Sequence, residues 1–269
     1  MMIHNSSTIM AAPITLEYDN QSYVFVILRH VRNADDNYYW VTSYRSIRKL
    51  YNNKIVIIDD YSEYPVDNIE LVNTEIIASE FKGAGECLPY YYFMKYQWAD
   101  RMVLLHDSMC MVQHFQPSEL ESPCSFHFHF EQKYVTGYMN DILKMISFLE
   151  NHSDIRAYTC ASDRRWKGCF GAAGIVSNEA IQYLETKFKF FSILVQQIHC
   201  RYDREIFERV IAVGLYYGKF MDENKSSNFC DIDVYPCNFQ EQINTIEAAK
   251  ENLTNHHYNF AIVKMWRGR

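Results

Sequence analysis

Three short apolar runs punctuate the first 105 positions of the chain: Tyr23 to Leu28 (YVFVIL), Ile55 to Ile58 (IVII) and Met102 to Leu105 (MVLL). Each is continuous rather than alternating and bounded by polar residues, the pattern of strands buried on both faces. Between the first two lies YYWVTSYRSIRKLYNN. Its Trp40, Tyr44, Ile47 and Tyr51 recur at helical spacing, and Arg45, Arg48 and Lys49 fall largely off that stripe. A shorter strand, TEIIAS, precedes GECLPYYYFMKYQWADR, where Pro89 suits the first turn of a helix. Strand–helix–strand units of roughly thirty residues predict right-handed crossovers and a mostly parallel sheet.

The second half reads as mixed. CSFHFHFEQ alternates with period two, which predicts one strand with Phe126, Phe128 and Phe130 on one face and His127 and His129 on the other. YMNDILKMISFLEN predicts an amphipathic helix through Met139, Ile142, Leu143 and Ile146. Further helices are expected in GIVSNEAIQYLETKF, capped by Ser177, and in DREIFERVIAVGLYY, capped by Asp203. NFAIVKMW reads as a final strand running into the basic end RGR. The fold class is therefore α/β, a Rossmann-type mostly parallel sheet flanked by helices, followed by a mixed α+β half. With no repeat and no linker, residues 21–269 form one domain with halves 21–118 and 119–269, preceded by a poorly ordered arm, 1–20.

Composition narrows the function classes. The 269 residues are 48% hydrophobic, enough for a substantial core, and the net charge of −7 without a Lys/Arg block disfavours nucleic acid as a partner. No stretch approaches the ~18 uninterrupted apolar residues of a membrane span. The N-terminus lacks a basic n-region and is broken by Pro13, unlike a signal peptide. Eight cysteines occur without a CxxC, which reads as reduced, mostly buried thiols in a cytoplasmic protein. The sequons at Asn5, Asn151 and Asn252 are then chance matches.

Candidate chemistry gathers at strand ends. Asp59 and Asp60 follow IVII directly, and Asp107 follows MVLLH. In an open parallel sheet, ligands bind along that carboxyl edge. A carboxylate there can hold Mg²⁺ or Mn²⁺ against a diphosphate; the competing reading is a turn aspartate bonded to its own backbone.

This order, a strand ending VFVILRH, a helix, a strand ending IIDD-S, the segment KGAGE, a helix and a strand ending LLHDS, resembles the nucleotide-binding half of GT-A fold glycosyltransferases. The likeness is to the large inverting family that includes cellulose- and chitin-synthase-like domains, and covers about residues 22 to 115. The resemblance implies a sugar nucleotide, UDP- or GDP-linked, as donor and a glycan or other hydroxyl as acceptor. Asp59 and Asp60 would receive the nucleoside, Arg29 and His30 would flank the base, and Lys82, Gly83 and Gly85 would line the donor pocket. Asp107 would meet the diphosphate. The family's Asp-x-Asp motif is here His106-Asp107-Ser108, so Mn²⁺ or Mg²⁺ would be held by Asp107 with His106 and a late histidine, His257. A late basic residue can instead steady the leaving diphosphate; Lys264, on a strand, fits better than Arg267 or Arg269.

The same resemblance supplies a base. Asp203, Arg209 and Gly214 in YDREIFERVIAVG match the family's spacing, with Tyr202 replacing a Glu. Asp203 would take the acceptor proton, with Glu205 and Glu208 in reserve; a plain helix cap at Asp203 and an i,i+4 Glu205–Arg209 pair are the ordinary alternatives. In RRWKGCFGAAGIVS, Trp166 and Gly168 would shape the acceptor site. His127 and His129 could share a metal but lack an evident third and fourth ligand, and read as structural. Two rival functions stay open: a non-catalytic binding or scaffold module of the same fold, favoured by the reduced Asp-x-Asp, and a sugar nucleotidyltransferase, disfavoured because RHVRNADD has no glycine. The Asn-, Ile- and Tyr-rich composition also resembles proteins of large DNA viruses, which would make the compartment host cytoplasm.

Overall fold

The computed structural model describes residues 22–66, 69–131, 133–162, 166–222, 224–225, 227–235 and 245–265. The expected N-terminal arm and the basic end with Arg267 and Arg269 lie outside these residues. In the first half the chain runs β1 (Tyr23–Arg29), α1 (Asn37–Leu50), β2 (Ile55–Asp59), β3 (Thr74–Ala78), α2 (Cys87–Tyr96), β4 (Arg101–His106) and β5 (Met109–Met111). Next come α3 (Pro117–Leu120), β6 (Cys124–Phe126), β7 (Phe128–Phe130), α4 (Lys133–Thr136), α5 (Met139–Ile146), α6 (His152–Cys160), β8 (Gly168–Cys169) and β9 (Gly174–Ser177). The rest is α7 (Asn178–Phe188), α8 (Phe190–Leu194), α9 (Arg201–Tyr217), β10 (Cys230–Asp231), α10 (Ile246–Asn255) and β11 (Ile262–Lys264).

The central sheet has the order β3-β2-β1-β4-β9-β6. Its first four strands are parallel, as the crossover lengths predict, and β9 and β6 close it in antiparallel fashion. Continuous apolar strands require cover on both faces, and they have it. Val24, Val26, Leu28, Val56, Ile58, Met102 and Leu104 pack with α2, α7 and α9 on one side. Phe25, Ile27, Ile55, Ile57, Val103 and Leu105 pack on the other with Trp40, Tyr44, Ile47 and Tyr51, the whole predicted stripe of α1. The α/β class with a mostly parallel, helix-flanked sheet is thus what the chain adopts. Among the described residues no helix is long and apolar enough to cross a membrane.

Two local expectations fail for identifiable reasons. The segment CSFHFHFEQ is two strands in two sheets: β6 joins the central sheet, whereas β7 joins a three-stranded sheet of order β10-β7-β8. His127 sits at the break, fully buried. Its N–H donates to Ala173 O, its Nε2 meets Leu104 O at 3.1 Å, and its ring stacks near Phe115 and Phe229. Phe126 and Phe130 consequently enter one core and Phe128 the other. Helix α9 also starts earlier than expected. Cys200 is its N-cap, and Asp203 is the third residue of a capping box rather than the cap. Ser177 caps α7 as predicted, accepting from Ala180 N at 3.2 Å.

Candidate functional site

Because β1, β2 and β4 are parallel and in register, Arg29 pairs with Asp59 and Leu28 with His106, which brings three strand ends to one carboxyl edge. The strand order reverses direction about β1, the switch point where open sheets leave a crevice. Most of the predicted residues meet here, in two groups of different character.

The first group surrounds the end of β2. Arg29 is buried, and its Nη1 pairs with Asp59 Oδ1 at 2.5 Å. Its Nη2 donates to Tyr64 O at 2.6 Å and Pro65 O at 2.9 Å, and the guanidinium lies 5.2 Å from the Trp40 ring. Asp59 also accepts from the Ser62 hydroxyl and N–H. Asp60 is 1% exposed and accepts from Gly83 N at 2.8 Å and Gly85 N at 3.1 Å. Burial raises its pKa, against the pull of those N–H groups and of His30 and Arg204. His30 Nδ1 donates to Asp60 O at 2.6 Å, since its Nε2 accepts from Arg32 Nε. Lys82 is exposed, its Nζ 5.9 Å from the ring of Tyr61, itself 48% exposed. The paired aspartates therefore fix the 60–66 and 82–86 loops from inside, and Lys82 and Tyr61 are what the edge presents outward.

The second group surrounds the end of β4. His106 Nε2 lies 2.6 Å from Gly171 O. Gly171 has φ 61, and a Cβ there would sit 2.6 Å from His106 Cε1, so only glycine allows this contact. Burial, then the Lys264 ammonium, lowers the His106 pKa. Asp107 and Ser108 form the following turn, and antiparallel β11 delivers Lys264, whose Nζ is 3.2 Å from Ser108 Oγ.

Helix α9 covers both groups. Its Arg204 packs on Gly85, where a Cβ would lie 2.3 Å from Arg204 Cδ, and pairs with Glu86 at 3.6 Å. One turn on, Glu208 accepts from Gly171 N and lies 3.9 Å from Arg209 Nη1. Burial, with the nearby Glu86 carboxylate, pushes the Glu208 pKa up to about 8. Asp203 differs: its Oδ2 accepts from His199 N at 2.9 Å, Cys200 N at 3.1 Å and the Cys200 thiol at 3.2 Å. Burial alone would raise its carboxyl, but those donors prevail and hold it below the usual range. Glu205 pairs with Arg201 at 3.0 Å. Arg209 instead donates to Glu205 O and lies over the rings of Phe130 and Tyr138.

The expected acceptor residues are elsewhere. Trp166 has no exposed surface and belongs to the core, and a Cβ on Gly168 would lie 1.9 Å from the Phe130 ring. Neither can face a sugar in this structure. Metal ligation at Asp107 meets opposing charge, because Lys264 brings its ammonium to the same turn, 3.2 Å from Ser108 Oγ. His257 is exposed at the end of α10. Among the described residues, the one group of three with ligand atoms within 4.8 Å of each other is His129, Glu131 and Asp231, compatible with a divalent metal. The reading of His129 as lacking a third ligand is thereby corrected. Sequence reasoning also missed Glu86, Arg204 and Tyr61. Gly171, expected from RRWKGCFGAAGIVS to permit close backbone approach, does so against His106.

No protein-family model matches the chain, and no curated protein matches its sequence. Among solved structures it is similar to S. aureus TarS 1–349, with TM-score 0.42 and 10% identity over 71% of this chain and 56% of that one. It is similar also to core-mannan synthase A of Aspergillus fumigatus in its Mn/GDP form, with TM-score 0.42 and 10% identity over 76% and 72%. TarS 1–349 in complex with UDP gives TM-score 0.38 and 10% identity over 65% and 54%. The chain thus spans about half the length of the TarS structures.

Proposed function

We propose that the protein is a glycosyltransferase that moves a sugar from a nucleotide-linked donor to a hydroxyl acceptor by direct, inverting displacement. The observation that carries this reading is the convergence on the end of β4 of two groups: the Lys264 ammonium, 3.2 Å from Ser108 Oγ and felt by His106, and Glu208, which accepts from the N–H of Gly171, the residue whose carbonyl faces His106. Attack by a hydroxyl on a sugar needs a base on one side and a stabiliser of the departing diphosphate on the other. Glu208 takes the acceptor proton, and the Lys264 ammonium meets the charge that grows on the diphosphate. Asp107 and His106 hold that turn in place. The nucleoside lies along the loops fixed by Asp59 and Asp60, with Lys82 and Tyr61 at the outer rim. In this reading Asp203 builds the helix that carries Glu208, and no step passes through a metal.

The test is a thermal-shift panel of UDP, GDP, CMP and dTDP, each with and without Mn²⁺. A nucleotide at about 100 times its dissociation constant adds roughly 2.7 kcal/mol of stability. Stabilisation by UDP or GDP without metal dependence is expected; the anomeric configuration of the product, read by NMR, then decides inversion. No shift with any nucleotide would replace the enzyme by a non-catalytic module of the same fold.

A further inference from the structure

A second cluster lies on the β10-β7-β8 sheet, built on residues other than those of the edge just described. Strand β7 carries His129, and Glu131 follows just past its end, on the same face by the two-residue period of a strand. Asp231 of β10 is the direct partner of His129 in the parallel pair, so its side chain emerges beside the imidazole. His129 Nε2 lies 3.6 Å from Glu131 Oε1 and 3.7 Å from Asp231 Oδ2. Both separations exceed hydrogen-bond range. They approach the ~3.4 Å edge of a tetrahedron whose metal–ligand bonds are about 2.1 Å.

The imidazole is held in the orientation such an ion requires. His129 is only 9% exposed, and its Nδ1 lies 2.8 Å from Ser227 Oγ. The Ser227 hydroxyl donates to Cys230 O at 3.3 Å, so the same oxygen accepts from Nδ1–H. The Nε2 lone pair is left aimed between two carboxylates, and an outer partner of this kind is what fixes the tautomer of a metal-bound histidine. A lone pair between two anions calls for a cation. Lys167 Nζ, 2.8 Å from Glu131 Oε1, answers one of the two carboxylates, so the group keeps a net negative charge.

We propose that His129, Glu131 and Asp231 bind a divalent cation of the Zn²⁺ or Mn²⁺ type that fastens β10 to β7. One imidazole with two carboxylates suits these ions better than Ca²⁺ or Mg²⁺, which take all-oxygen sets. The strand pair it joins is only two residues long, Cys230–Asp231 against Phe128–His129, so the ion adds a further lock to a segment also held by Asn228 N on Phe126 O and Phe229 N on His127 O. Nothing in the site requires a nucleotide, and it stands whether or not the transferase reading does.

The test is titration of the purified full chain with Zn²⁺ alone, read by competition with a chromophoric chelator and by melting temperature. One equivalent per chain and a raised melting temperature are expected. His129→Gln and Asp231→Asn should each weaken binding at least about tenfold. Lys167→Met, which keeps all three ligands and removes the competing cation, should tighten it several-fold, and Asp107→Asn should leave it unchanged. Absence of a bound equivalent at micromolar Zn²⁺ overturns the proposal. So does binding that both ligand variants leave intact, or binding that Lys167→Met weakens.

Discussion

The surroundings of the two strand ends that flank β1 hold carboxylates in opposite ways. At the end of β2, Asp59 and Asp60 have their oxygens taken by Arg29, Ser62, Gly83 and Gly85. Beside the end of β4, on α9, Glu208 receives one backbone N–H, with Arg209 at 3.9 Å and the Glu86 and Glu205 carboxylates nearby, and its pKa rises to about 8. A carboxylate surrounded by donors is a structural anchor; one short of donors keeps its affinity for a proton. The difference teaches where chemistry can sit on this edge, because acidic residues alone do not mark it.

That contrast can be broken by substitution. Glu208→Gln should lower kcat roughly 10²–10⁴-fold while nucleotide binding, read by calorimetry, is kept; equal loss of both would return Glu208 to a structural role. Arg29→Ala should cost about 3 kcal/mol in urea unfolding, because it empties the buried guanidinium site and leaves half-buried Asp59 with only its Ser62 donors. Lys264→Met should lower kcat about 10²–10³-fold, with no rescue by Mn²⁺. Asp203→Ala should cost only about 1 kcal/mol of stability and leave transfer nearly unchanged; a collapse of transfer would move the base back to the start of α9.

A pH series sharpens the same comparison. The Glu208 carboxyl is raised in the fold, from 4.5 to about 8, so its stabilising contribution is complete below pH 4.5 and is lost as pH rises through 8. Glu208→Gln should therefore melt above the wild type at pH 8.5, by about 2–4 °C for each kcal/mol relieved, and nearer to it at pH 4. Activity should move the other way, rising with pH towards a plateau above 8, as a base must lose its proton first.

What the sequence made legible follows from locality. The strands of the parallel sheet and the α1 stripe were readable because burial on two faces, or on one, leaves a period in the chain itself. The edge was readable because polar residues end those runs. The state of each titratable group was not, because its partners come from far along the chain: Gly83 and Gly85 for Asp60, Gly171 for Glu208, Asp231 for His129. The start of α9 was misplaced because cysteine is not a usual cap and Asp203 is. Trp166 and Gly168 looked exposed because an aromatic beside glycines reads as a turn, whereas their neighbours in space are Phe130 and the core.

The break at His127 has a consequence for how the chain tolerates change in length. Phe126, Phe128 and Phe130 are sewn alternately into two separate cores by a stretch with no slack between stitches. Inserting or deleting one residue there would swap which core each ring enters and unseat both at once. This five-residue seam, Phe126 to Phe130, therefore sets a strict reading frame.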